Sequence, residues 1–194
     1  MKKRIISLFL VVFTLSLMML TFTSCSDPYE PTHYATIEIE HYGTIELELY
    51  GNAAPITVKN FVALANDGFY EGLTFHRIID GFMIQGGGYE IDGTEKDADS
   101  IKGEFSSNGV KNPIKHERGV ISMARTNDKN SASSQFFIMH EASSHLDGEY
   151  AAFGKVISGI EVVDAICEQV PQGYNGAVNL AYRPIIKSIT IREA

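Results

Sequence analysis

Residues 75–87 read Phe-His-Arg-Ile-Ile-Asp-Gly-Phe-Met-Ile-Gln-Gly-Gly, and about fifty residues later the chain reads Ser-Gln-Phe-Phe-Ile at 134–138. A third block, His-Leu-Asp-Gly-Glu-Tyr-Ala-Ala-Phe-Gly-Lys-Val, follows at 145–156. The first block sets a permanent cation, Arg77, ahead of Phe82, Met83 and Gln85, and the second adds Gln135 and Phe137. Together they describe a small apolar pocket with one guanidinium and no nucleophile, general base or metal ligand set. Such a pocket suits chemistry that breaks no covalent bond. His33, His41, His116, His140 and His145 show no metal-ligand spacing, so no metal is expected. Gly86-Gly87-Gly88 lacks the Lys-Ser/Thr context of a phosphate loop and reads as a strand exit.

These residues need a scaffold, and 194 residues suffice for one domain with a full core. The formal net charge is −8, and the first 24 residues hold three basic and no acidic side chains, so a chain without them is more acidic still. Nothing here would neutralise phosphates, which excludes nucleic acid as an expected partner.

Thr36 to Tyr50 alternates, with Ile37, Ile39, Ile45, Leu47 and Leu49 on one face and glutamates between them, the mark of a half-buried hairpin about Tyr42-Gly43. Pro55 to Asn66 reads as a helix, with Pro55 in its first turn, Asn66-Asp67-Gly68 as its stop and Val58, Phe61, Val62 and Ala65 as its buried stripe. Strand patterns follow at 73–79, 82–86, 119–124, 134–139, 151–157 and 185–191, with a second helix at about 159–169. Val163, Ile166, Cys167 and Val170 form an apolar helix face, which makes Cys167 a buried, inert thiol. Residues 89–118 are loop-like. Many short strands with two helices suggest a closed, mainly β barrel capped at its ends.

Strand parity groups the pocket. Phe75 and Arg77 are expected on one face, Met83 and Gln85 on one face, and Gln135 and Phe137 on one face, with Phe136 and Ile138 turned to the core. Taken alone, Arg77 reads as a surface arginine paired to Asp80 or Glu71, and the apolar residues read as core.

The N-terminus looks like a bacterial lipoprotein signal. Lys2, Lys3 and Arg4 precede an uncharged run from Ile5 to Leu20, and Phe22-Thr23-Ser24-Cys25 resembles a lipobox. A plain signal peptide or an uncleaved anchor are the alternatives. The organisation expected is a signal at 1–24, a lipid-anchored tether at 25–34 and one domain at 35–194, with lipid on Cys25. That places the protein on the bacterial cell envelope, on the outer membrane in a Gram-negative cell, touching the membrane by its lipid only.

In order and spacing, the blocks Phe75–Gly87, Gly119–Ala124 with Ser134–Ile138, and Leu146–Val156 resemble the cyclophilin family of peptidyl-prolyl cis-trans isomerases, over about residues 35–193. The resemblance implies a mainly β fold, a closed eight-stranded antiparallel barrel capped by two helices, in agreement with the pattern above, with action on Xaa-Pro segments of unfolded or flexible proteins, no cofactor and a monomer. It implies catalytic roles for Arg77, Gln85 and Phe137, and substrate binding by Phe82, Met83, Ala124, Arg125, Gln135, Leu146 and Tyr150. Three positions depart from the best-known eukaryotic members. His145 replaces a tryptophan that matters for binding the drug cyclosporin, Tyr150 replaces a histidine, and Arg125 replaces an asparagine.

Overall fold

The computed structural model describes residues 28–194. Cys25 and the expected signal lie outside them. Eight antiparallel strands form one curled sheet: β1 (His33–Ile39), β2 (Gly43–Leu49), β3 (Phe75–Ile79), β4 (Met83–Gly86), β5 (Val120–Met123), β6 (Phe136–Met139), β7 (Ala152–Ser158) and β8 (Ile186–Glu193). Their spatial order is β3-β4-β6-β5-β7-β2-β1-β8. Helix α1 (Pro55–Asn66) follows β2 and α2 (Ile160–Gln169) follows β7. Strand β1 begins at His33, so the last two residues expected in the tether pair instead with Leu49 and Glu48. No helix among the described residues is long and apolar enough to cross a membrane.

The hairpin alternation is realised as expected: Ile37, Ile39, Ile45, Leu47 and Leu49 point into the core while the glutamates between them do not. Phe61 of α1 anchors that core, with the rings of Tyr70, Phe136 and Phe153 at centroid distances of 5.3–5.6 Å. Burying an aromatic of this size stabilises by roughly 1.5–3 kcal/mol. From α2, Val162, Val163, Ile166 and Cys167 are buried. Burial, with the charges of Asp80 and Asp164 behind it, pushes the Cys167 thiol up to about 12.

Residues 89–118 are a long loop, but a tethered one. The buried Glu104 carboxylate accepts from the Ile56 and Thr57 backbone N–H groups (3.1 and 2.8 Å) and from the Thr57 hydroxyl (2.7 Å). It satisfies the first turn of α1, where Ala54 offers no side-chain cap and a negative charge is favoured.

The expected closed barrel is corrected to an open one. Its edge strands β3 and β8 share no ladder; they approach around an isolated bridge, Thr74 to Ile185, just before each strand, where Ile186 N donates to the Leu73 carbonyl (2.8 Å) and Gly72 N to the Ile186 carbonyl (2.9 Å). Two reasons are visible. Pro184 has no N–H to donate, although its carbonyl accepts from Phe75 N at 2.9 Å. Further along, the outer edge of β3 is already occupied, because Arg77 bridges Ala177 and the His76 carbonyl accepts from Val178 N at 3.0 Å. The chain before β8 thus covers the outer edge of β3.

Candidate active site

The expected pairing of Phe75 with Arg77 is also corrected. Phe75 sits opposite Gly86 while Arg77 sits opposite Gln85, so the register shifts and His76 is the extra residue of a β-bulge. Phe75 stays in the core with Ile78, and Arg77 turns to the other face with Ile79. The other parity expectations agree with the structure. Met83 and Phe137 leave the core side to Ile84, Phe136 and Ile138.

On that outer face lies a cleft of about 490 Å³. Arg77, Phe82, Met83, Gln85, Ala124, Arg125, Phe137, Leu146 and Tyr150 all line it, drawn from four separate stretches of chain. Gln135 stands behind them, in an adjoining hollow that shares Gln85, Ala124 and Arg125 and also reaches Glu95 and Ser131. Sequence reasoning did not place Glu149 on the cleft, yet it is there beside His145. His145 stacks on Phe82 with ring centroids 5.8 Å apart.

The floor is rigid. Met83, Phe137 and Leu146 are buried and continue into a second apolar cluster with Ile114, Val120 and Met139. Phe137 lies flat against the buried His116 (6.0 Å, 18°) and edge-on to Tyr150 (5.7 Å, 85°). His116 is fixed in turn by Asp147 Oδ1 at Nδ1 (3.2 Å) and Ser122 Oγ at Nε2 (3.1 Å). Its burial lowers it below the ordinary imidazole range, against the pull of Asp147. This support behind Phe137 went unread in the sequence, because His116 lies in a loop-like stretch with no pattern around it.

The polar groups form one relay. Arg77 Nη1 donates to Gln85 Oε1 (3.4 Å), and Gln85 Nε2 donates to Gln135 Oε1 (3.0 Å). A Cβ at Gly88 would lie 2.4 Å from Gln135 Cγ, so the glycine run makes room for that amide. The rest of the guanidinium is held by Asn175. Nε donates to the Asn175 carbonyl (3.0 Å) and Nη2 to its Oδ1 (3.1 Å). Asn175 has φ +54, a left-handed conformation that asparagine tolerates. The next residue, Gly176, approaches β3 so closely that a Cβ would lie 2.5 Å from the Ile78 carbonyl oxygen. Among the described residues Arg77 has no carboxylate partner: neither Asp80 nor Glu71 pairs with it. Burial lowers its pKa and the Tyr150 phenol opposes that, but a guanidinium stays charged in any case.

Arg125 is committed elsewhere. Its guanidinium stacks on Tyr150 (4.7 Å) and Phe105 (5.1 Å), and its Nε and Nη2 donate to the Glu149 carbonyl (3.1 and 3.0 Å). It builds the wall and leaves Arg77 as the cation presented to the trough.

A family model described as cyclophilin type peptidyl-prolyl cis-trans isomerase/CLD matches residues 34–193. This chain belongs to the cyclophilin family. Among relatives named peptidyl-prolyl cis-trans isomerase, that of Acinetobacter baylyi is 45% identical over 169 residues, covering 84% of this chain and 83% of the relative. Isomerase B of Bacillus subtilis is 51% identical over 109 residues, covering 56% of this chain and 73% of its own. A cyclophilin of Cryptosporidium parvum, solved in the presence of the dipeptide Ala-Pro, superposes with a TM-score of 0.68 at 32% identity over 83% of this chain and 99% of its own. This cyclophilin is an enzyme, a peptidyl-prolyl cis-trans isomerase.

Proposed function

We propose that this cyclophilin accelerates Xaa-Pro rotation in folding or mature proteins of a bacterial cell envelope, that lipid on Cys25 anchors it there, and that Arg77 stabilises the twisted amide. The observation that carries the mechanism is a guanidinium at the rim of an apolar trough, oriented by Asn175 and Gln85 and, among the described residues, neutralised by no carboxylate.

Amide resonance sets a barrier of roughly 18–20 kcal/mol to rotation about the C–N bond. At the twisted transition state that resonance is gone, and the proline nitrogen is pyramidal with a free lone pair. A guanidinium N–H aimed at that nitrogen donates to the lone pair there but finds none in the planar ground state. Binding that exists only in the transition state lowers the barrier. Phe82, Met83, Phe137 and Leu146 grip the proline ring while the preceding carbonyl swings. Gln85 hydrogen-bonds the peptide backbone, and Gln135 orients Gln85. Ala124, Arg125 and Tyr150 complete the wall along which the upstream residues lie. No cofactor enters, and one chain suffices, so a monomer is the working unit.

The test is a protease-coupled isomerase assay on a short Xaa-Pro peptide, with peptide binding measured in parallel. The expected result is acceleration by wild type and its loss in a folded Arg77→Ala protein that still binds the peptide. Binding without acceleration by wild type would show the cleft to be a recognition module. For the anchor, Cys25→Ala should leave unprocessed precursor and abolish incorporation of radiolabelled lipid. Equal labelling of mutant and wild type would remove the envelope assignment.

A further inference from the structure

We propose that Asp80, His140 and Cys167 form a binding site for a divalent transition metal of the zinc type, outside the peptide cleft. One donor atom from each, a carboxylate oxygen, an imidazole nitrogen and a sulfur, lies within 4.8 Å of the other two. They come from three elements: the β3–β4 turn, the residue after β6, and the buried face of α2. Thiolate, imidazole and carboxylate together are a zinc donor set, with a fourth position open to water.

The imidazole is arranged as a metal-ligating one is. His140 Nε2 faces Asp164 Oδ1 at 3.1 Å, and both Asp164 oxygens accept from Arg118 Nη2 at 2.7 Å. A carboxylate so clamped holds the ring proton on Nε2 and turns the Nδ1 lone pair the other way. Such an outer carboxylate is the usual partner of a metal-bound histidine. Nδ1 points at Asp80, with Oδ1 3.4 Å away. It accepts a hydrogen bond from Gly81 N–H at 2.9 Å, an exposed contact whose donor can turn to water when a cation arrives.

The bland alternative is that His140 merely caps the turn and Cys167 merely fills the core. The geometry argues for more: three different donor types from three elements converge, and the clamped Asp164 leaves His140 Nδ1 turned toward Asp80. As a metal–sulfur bond forms, one proton leaves the thiol for solvent, with no change of oxidation state. Access is open on one side only, since the Asp80 side chain is 70% exposed and that of His140 15%. Tetrahedral zinc brings its donors to roughly 3.3–3.7 Å of one another, a separation that His140 Nδ1 and Asp80 Oδ1 already have at 3.4 Å. Asp80, on its exposed turn, is the member free to move.

The turn and α2 are already linked. Asp80 N donates to Gln172 Oε1 (3.0 Å), and Gln172 Nε2 donates to the Cys167 carbonyl (2.8 Å). A bound metal would tighten that link between α2 and the hairpin that carries Arg77 and Gln85.

The experiment uses the full chain in detergent, without a histidine tag, carrying Cys25→Ala so that Cys167 is its only thiol. After chelator treatment it is titrated with Co²⁺ and then with Zn²⁺. The expected result is one Co²⁺ per chain, with a near-ultraviolet thiolate-to-cobalt absorption and visible bands of a tetrahedral ion, both discharged by Zn²⁺. Cys167→Ser should abolish the thiolate band, and His140→Ala and Asp80→Asn should each weaken binding at least about tenfold. Zn²⁺ should raise the thermal midpoint of the parent and not that of Asp80→Asn, a substitution at an exposed side chain that leaves the core intact. Saturating Co²⁺ without a thiolate band, or binding unaffected by all three substitutions, would overturn the proposal.

Discussion

Arg77 and Asn175 stand 98 residues apart in the chain and meet through two hydrogen bonds that fix the plane of the guanidinium. Removing the asparagine amide alone should leave the arginine present but loosely aimed. Asn175→Gly keeps the left-handed backbone and should lower kcat about tenfold, near 1.4 kcal/mol, with little change in KM. Arg77→Ala should cost at least about a hundredfold in both kcat and kcat/KM, since losing one such donor typically costs roughly 3–4 kcal/mol. The double variant should be no slower than Arg77→Ala. Losses that simply multiply would mean that Asn175 does not act through the arginine.

Phe137 should behave differently, because in the proposed mechanism its ring grips the proline in ground and transition states alike. Phe137→Leu is expected to raise KM and leave kcat within about threefold of wild type. Full truncation is a poorer probe. Phe137 belongs to the second apolar cluster and rests on His116, so Phe137→Ala should cost roughly 3–5 kcal/mol of stability. Steady-state kinetics alongside thermal unfolding separates the two effects. A fall in kcat at unchanged KM for Phe137→Leu would contradict this role.

Acid should destabilise the fold through its histidines. Burial first, then the charges of Arg183 and Arg77, hold His76 down to about 4, against an ordinary 6.5. The unfolded chain therefore binds more protons between these values, so stability is complete above about pH 6.5 and falls as pH drops toward 4. The loss from His76 can reach roughly 3 kcal/mol at the acid end. His116, also lowered by burial, acts in the same direction. Urea unfolding across this range should show the slope, and His76→Gln should reduce it. An unchanged slope would assign the acid sensitivity to other groups.

The stack of His145 on Phe82 puts an imidazole at the rim where an indole serves cyclosporin binding in the best-known relatives. An imidazole offers less apolar area and a polar edge that is costly to desolvate. Inhibition of wild type should be weak, and His145→Trp should tighten it at least about tenfold, near 1.4 kcal/mol. Nanomolar inhibition of wild type would show that position 145 does not limit the drug.

Local pattern carried most of the fold. Alternation between Thr36 and Tyr50, and the Pro55 start with its Asp67-Gly68 stop, depend on neighbours in sequence, and those elements stand where the pattern puts them. Alternation along β4 and β6 is regular and was likewise enough to put Met83 and Gln85, and Phe137, on the cleft face, while the places of Arg77 and Phe82 came with the family resemblance. Other features were decided only by contacts between distant segments. The bulge at His76 breaks the alternation that predicted a shared face for Phe75 and Arg77, and nothing in the local residue types signals it. The edge of β3 is taken by residues 177–178, a long-range pairing that no local pattern records. Asn175 and His116 support the site from loops, where no periodicity points inward. Asp80, His140 and Cys167 have no ligand spacing along the chain and converge only where the β3–β4 turn, the end of β6 and α2 pack together. The sequence by itself determined which short stretches become strands and helices and which side chains share a regular strand face, because both follow from local geometry. Register, closure and the partners of Arg77 fell to the tertiary structure, because each is a choice among competing long-range contacts.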